Sequence, residues 1–398
     1  MLTNRIFGNE LKYLEEVLES GFRASSGASM MQRFEKAFAS KFGASHGVAF
    51  VNGTATMHAA LEAWGIGAGD EVIVPPMTMA STTFAVLQCN ATPVFADIDP
   101  KTFQICSNSI AEKITNNTRA IITVALFGLS PDMDPIMALA KKHGLKVLED
   151  NAECFLGEYK GKFVGTIGDC ASYSLQNSKH ITSGEGGIVI TSDEDLAVRL
   201  RKIASLGYSG VSATSGKVTR QEIQSPDYSR HVSLGWNYRM PELCCAVALA
   251  QVENIDILVK RRKDVGELFG EVVEPFREWF VPQVTPSYAV HSYWTFAAYL
   301  ARDDITWYEF REKFTSLGGD GVYACWKLTY DEPFLANMEV LGREQFISER
   351  NIDKYRTGIC PVAEALQPRM FMFKTNYWDW QKARSQAEIL SETLSHFA

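Results

Sequence analysis

Apolar residues recur at helical spacing through the first 45 positions. Leu11, Leu14, Val17 and Leu18 form one set, and Met31, Phe34, Phe38 and Phe42 a second. Residues 8–45 are therefore expected to be helix with short breaks. From about residue 47 the pattern changes to short apolar runs separated by helical stretches. Runs at 47–51, 71–74, 92–96, 120–124, 145–149 and 187–191 read as strands. Stretches at 54–64, 81–88, 133–143 and 194–205 read as the helices between them. Strands spaced by helices of this length predict an α/β fold, a mostly parallel sheet sandwiched by helices. In such sheets ligands bind beyond the carboxyl ends of the strands. That places Asn52-Gly53-Thr54, Pro75 to Met79 and Asp150 at one edge, although they lie far apart in sequence.

Residues 206–233 are polar and rich in Gly and Ser, which predicts an exposed or partly mobile loop. One long helix is expected over 241–262, with Pro241 at its start. The remainder mixes a strand at 291–300 with amphipathic helices at 305–317 and 380–397. The expected organisation is a large α/β domain over residues 1–250 and a smaller α+β C-terminal domain over 251–398.

Composition narrows the function. The chain has 398 residues, 46% hydrophobic and 22% charged, with a formal charge of -8. No basic tail or stripe is present, so nucleic acid is not an expected partner. No apolar run approaches the roughly 20 residues that a membrane helix needs, and residues 1–7 lack the apolar core of a signal peptide. The eight cysteines have neither C-x-x-C pairing nor zinc-finger spacing. They read as reduced, structural thiols of a cytoplasmic protein, with no metal site.

Several residues carry candidate chemistry. Asn52-Gly53-Thr54-Ala55 joins a strand to a helix, and such a helix start offers free N–H groups to an anion; a plain N-cap is the competing reading. Asp150 ends a strand, where a carboxylate can serve as a metal ligand, a base, a ribose hook or the partner of a ring nitrogen. Lys179 precedes Gly184-Glu185-Gly186-Gly187, and Ser174 lies five positions before it. A lysine amine is a nucleophile when its pKa is depressed or when it is held as an imine, although a surface lysine in a glycine-rich loop is the commoner case. Gly65-Ile66-Gly67-Ala68-Gly69 follows a helix and precedes a strand, the reverse of a dinucleotide-binding loop. Asn237 and Arg239 sit among aromatics in Gly235-Trp236-Asn237-Tyr238-Arg239-Met240, which suits polar ligands or a packing turn equally.

Together these motifs resemble the DegT/DnrJ/EryC1/StrS sugar aminotransferase family. The matching pieces are Gly53-Thr54-Ala55, Glu149-Asp150-Asn151-Ala152, Tyr159-Lys160-Gly161-Lys162, Gly165 with Asp169, Ser174 with Lys179, Gly184 to Gly187, and Asn237-Tyr238-Arg239-Met240. The resemblance implies the pyridoxal 5'-phosphate (PLP) fold type I. Lys179 would carry the cofactor as an imine, and Asp150 would pair with its ring nitrogen. Thr54, Ala55 and Ser174 would hold the phosphate, with Met79 over the ring and Glu153 near the phenolic oxygen. Asn237 would reach the cofactor of a neighbouring subunit, so a homodimer with shared active sites is expected. His180 and Arg239 are the substrate-contact candidates; His291, Trp294, Trp326, Lys327 and the 206–233 loop suit acceptor contact or packing equally. The implied reaction moves an amino group from an amino acid, glutamate being the expected donor, to a keto-sugar acceptor linked to a nucleotide.

The chain departs from the family pattern at three places. Met79 stands where an aromatic residue is usual, Glu153 where glutamine is common, and Val124-Ala125-Leu126-Phe127-Gly128 lacks a polar pair. A carboxylate at position 153 must be protonated or hydrogen-bonded beside a phenolate. A related branch replaces the lysine by histidine and dehydrates sugars, whereas here Lys179 is kept and His180 follows it. A sugar dehydratase, a cyclitol aminotransferase and a non-catalytic regulator of the same fold are the alternatives, and the regulator would be expected to lack Lys179 or Asp150.

Overall fold

The computed structural model describes residues 4–22, 29–214, 224–336 and 355–398. The central part of the 206–233 loop, residues 215–223, lies outside the described residues. Helices α1 (Asn9–Glu19) and α2 (Met30–Phe42) open the chain. Ser29 starts α2 with a reciprocal capping box to Gln32, which satisfies first-turn amides that the helix itself leaves open.

The alternating pattern then forms β1 (His46–Phe50), α3 (Gly53–Ala63), β2 (Glu71–Val74), α4 (Ser81–Gln88), β3 (Thr92–Phe95), α5 (Ser107–Lys113), β4 (Thr118–Val124), α6 (Met133–His143) and β5 (Lys146–Asp150). A small hairpin, β6 (Glu158–Tyr159) and β7 (Lys162–Phe163), precedes β8 (Cys170–Ser174), β9 (Gly187–Thr191) and α7 (Glu194–Ala204). The seven-stranded sheet has the order β1-β9-β8-β5-β4-β2-β3. Only β9 runs against the others.

Both faces of the sheet are covered, so strand residues alternate between two apolar layers. Val72 and Val74 join one core with α3 and α4, while Ile73 packs into another with α6. This explains why the strands read as unbroken apolar runs. It also explains why α3 shows almost no polar side, since nearly all its residues are buried.

The single helix expected over 241–262 is instead two, α8 (Glu242–Glu253) and α9 (Ile255–Val273). Asn254 breaks it, with φ −116° and ψ 13°. Its side-chain amide donates to Ala250 O at 2.9 Å, and asparagine favours such local bonds over helix continuation. A four-stranded antiparallel sheet follows, made of β10 (Phe280–Pro282), β12 (Thr295–Leu300), β13 (Val322–Ala324) and β14 (Met370–Lys374), with β11 (Ala289–Val290) paired instead to β6. Its aromatic core includes Phe269, Phe280, Phe296, Phe310, Phe371 and Phe373, packed beneath α9, α10 (Trp307–Ser316) and α11 (Trp380–His396). Neither α5 nor β8 is among the elements that the apolar pattern predicts. The stem of the 206–233 loop is paired, through a Tyr208–His231 bridge and Ser209 N to Arg230 O at 2.9 Å.

Candidate active site

The carboxyl ends of β2, β4, β5 and β8 open onto a cleft of about 370 Å³. Thr54, Met79, Asp150, Glu153, Ser174 and Lys179 all line it. Trp294 and Trp326, from the second sheet's side of the chain, close the wall beside Lys179. One end is a helix start. Asn52 caps α3, accepting from Ala55 N at 2.8 Å, which leaves the amides of Gly53 and Thr54 as the outermost of the first turn. Gly53 permits this approach: a Cβ there would meet Ser174 Cβ at 2.9 Å.

Consecutive carboxylates at the end of β5 leave on opposite faces. Glu149 is buried among the backbone amides of Gly165, Ile167 and Gly168, at 2.6–2.8 Å. It fixes the turn before β8. Asp150 faces the cleft, accepting from Thr82 Oγ1 at 2.9 Å and Ala152 N at 3.2 Å. Burial pushes its carboxyl up, and these donors together with the Lys179 charge pull the other way. Glu153 is 4% exposed. Its Oε2 accepts from Phe127 N at 3.0 Å, and its Oε1 lies 3.5 Å from Lys179 Nζ. Burial raises this carboxyl also, opposed first by Lys179. The hydrogen bonding demanded of a carboxylate at position 153 is therefore present. Met79 stands at the mouth, half exposed.

Other candidates are not brought to the cleft. Ala55 is buried and its amide is taken by Asn52, whereas Gly53, Thr54 and Ser174 line this end of the cleft. The substrate-contact expectation for His180 is corrected. Its ring has no exposed surface, lies 2.9 Å from Ser292 O through Nε2, and packs on Phe155. Lys179 takes the cleft side of the backbone, and its neighbour faces the core. Burial, with Arg262 nearby, holds the His180 imidazole well below its usual pKa. His291 is likewise buried, bonded to Gln283 Oε1 at 2.8 Å, and Lys327 is exposed away from the cleft.

Asn237 and Arg239 lie on an extended segment that bridges to Ser205 and Phe50. Trp236 and Tyr238 stack at 5.8 Å and are pinned to α3, Trp236 Nε1 donating to Glu62 at 2.8 Å and Tyr238 OH lying 3.1 Å from His58 Nδ1. Alternation then turns Asn237 the other way, exposed. The Arg239 guanidinium lies 5.8 Å from the Tyr208 ring centre. Neither lines the cleft of its own chain. Pattern reading missed Thr82, whose pairing with Asp150 spans 68 positions, and the rim residues Gln176, Ser178 and Glu185. Thr82 carries no local signal, because only the β2 and β5 alignment brings it there.

A model of the DegT/DnrJ/EryC1/StrS aminotransferase family matches residues 4–324. The chain belongs to that family. Its members depend on PLP, and this chain is an aminotransferase of the group. It is 40% identical to GDP-perosamine synthase of Caulobacter vibrioides over 66% of this chain and 67% of that protein. It is 39% identical to GDP-perosamine synthase of Escherichia coli O157:H7, over 66% and 68%. The structure of an aminotransferase from Psychrobacter cryohalolentis superposes with a TM-score of 0.86 at 26% identity, covering 98% of each chain. The cleft fits the family's cofactor. It offers hydroxyls and helix-start amides at one end, a buried carboxylate deep within, and one lysine amine at its wall. Among the described residues no cluster could hold a metal ion, and no helix is long and apolar enough to cross a membrane.

Proposed function

We propose that this cleft transfers an amino group from glutamate to a nucleotide-linked keto-sugar. The observation that carries the reading is the pairing of Lys179 and Asp150 across one cleft that also holds the start of α3. PLP supplies an electron sink for a carbanion at the donor's α-carbon. Asp150 keeps a proton on the ring nitrogen, since a nearby anion favours the charged form of a base. Gly53, Thr54 and Ser174 bind the phosphate. Lys179, once its amine is free, takes the α-proton and returns it, acting as general base and then acid. Both relatives are named for a GDP-linked product, which supports a nucleotide-linked acceptor. A lysine at the cleft wall, with His180 buried behind it, favours amino transfer over dehydration.

The active unit in this proposal is a cytoplasmic homodimer, with Asn237 and Arg239 serving the neighbour's cleft. Their outward placement supports this, as does the exposed apolar trio Val232, Leu234 and Trp236 on the same segment. The division proposed is a cofactor unit over residues 1–250 and a smaller unit over 251–398. The test is direct. Borohydride should fix the cofactor to Lys179, found by peptide mass, and Lys179→Ala should lose turnover by at least about 10²-fold. Normal turnover in that variant would sink the mechanism.

A further inference from the structure

Lys179 is held by a closed circuit of contacts. Its Nζ lies 4.4 Å from the centre of the Trp294 ring and 3.5 Å from Glu153 Oε1. Trp294 stacks on Trp326 at 5.8 Å and 16°, and Trp326 on Phe127 at 5.9 Å and 17°. The amide of Phe127 closes the loop by donating to Glu153 Oε2. Phe127 does so with φ 64°, a conformation that a bulky residue adopts only when its surroundings impose it.

A second set of bonds locks the backbone beneath. Arg262, 2% exposed on α9, donates from Nη1 to Trp294 O at 2.8 Å. Its Nη2 donates to Ser178 O at 2.5 Å and to Lys179 O at 3.1 Å. The Trp294 indole N–H donates to Ser178 O at 3.0 Å. One guanidinium therefore fixes the ring face and the lysine relative to each other. Arg5 braces the same turn from the other side, donating to Asn177 O, Lys179 O and His180 O at 2.8–3.1 Å. Packing alone needs none of this, because a tryptophan buried for packing need not present its face to a cation.

We propose that Trp294 is a positioning residue for Lys179: its indole face holds the lysine nitrogen in the apoprotein and each time that nitrogen carries the donor's α-proton, and Arg262 sets the face in register with the lysine's backbone. The proposal rests on Lys179 being the catalytic amine. A freed lysine must neither wander into solvent nor block the incoming substrate. A π face with a carboxylate at its edge holds the cation loosely and locally, and the amine stays within reach of the carbon it must serve.

The test compares Trp294→Phe, which keeps a ring face, with Trp294→Met, which keeps bulk without one. Two rates are read: capture of PLP by the apoprotein, followed by its absorbance, and kcat. Trp294→Met should slow both about tenfold, with KM for the donor within about twofold, while Trp294→Phe stays within about threefold of the parent. Equal losses in both variants, or a change in KM alone, would overturn the proposal. Should Trp294→Met not fold, tryptophans of increasing fluorine content at position 294 keep the shape and weaken the face. The two rates should then fall stepwise, and a flat series overturns the idea. Lys179→Ala serves as the control, since turnover there would remove the underlying reading and leave the ring series without a role to explain.

Discussion

Thr82 Oγ1 donates to Asp150 Oδ2 at 2.9 Å, joining the first turn of α4 to the end of β5. The bond favours the ionised carboxylate and opposes the upward push of burial. Thr82→Val preserves shape and removes the donor. The acid limb of kcat/KM should move up by about one pH unit, the size expected for a lost bond to a charged group. A pH-rate profile unchanged by the substitution would mean that Asp150 is not the titrating group.

Glu153 gives a stability prediction of defined sign. Burial raises its carboxyl above the value it has in the unfolded chain. The folded protein therefore holds that proton more tightly, and the contribution present at low pH is lost as pH rises through the folded value. Glu153→Gln keeps an acceptor for Phe127 N and cannot ionise. The apoprotein variant should gain stability over the parent as pH climbs above the ordinary carboxylate range, by about 1.4 kcal/mol per unit of upward shift, and should match it in more acid solution. Urea unfolding across pH measures this. A gain that is constant with pH would contradict it.

Arg201 and Glu35 form a buried, two-bond pair, with both contacts at 3.0 Å and the guanidinium also held by Gly47 O and Ala213 O. Arg201→Met strands a carboxylate and should cost about 3–5 kcal/mol. Adding Glu35→Leu should restore most of that loss. A double variant no more stable than the single one would show that the pair contributes through more than its charges.

Asn237 offers a test of shared sites. Lys179→Ala and Asn237→Ala should each be nearly inactive. When the two are mixed and allowed to exchange subunits, mixed dimers carry one intact site. Activity should recover to about a quarter of the parent. Absence of recovery, with exchange confirmed by native mass spectrometry, would place Asn237 in its own chain's site.

Much of the architecture was legible because strands buried on both faces read as apolar runs, and β9 was bounded by pattern alone to the residue. Asn254 was not legible, since a polar residue inside an otherwise regular helical period breaks it only through its own side-chain bond. What the sequence made legible is that Asp150, at the end of β5, and Lys179, in the loop after β8, line one cleft. It failed where the decision lies in side-chain direction. His180 and Lys179 are neighbours in sequence, and nothing local says which of them faces the cleft. Nor does the sequence say that Asn52 caps α3 by accepting from the amide of Ala55.

The lone reversal at β9 has a consequence for how the site is built in time. Because β8 and β9 are antiparallel neighbours, Lys179 sits in the loop of what is a broad hairpin, closed between Ser174 and Gly187. Such a loop closes at small entropic cost and early. Asp150 and Thr82 meet only after long parallel crossovers have formed. The strand pairing that carries the nucleophile is thus local, whereas the bonds from Arg5 and Arg262 that set its turn, and the bond between Thr82 and Asp150, are long-range. A hairpin formed without them would hold the lysine in an unfixed loop with no carboxylate behind it, so the contacts that make the amine useful are the ones its own strands cannot supply.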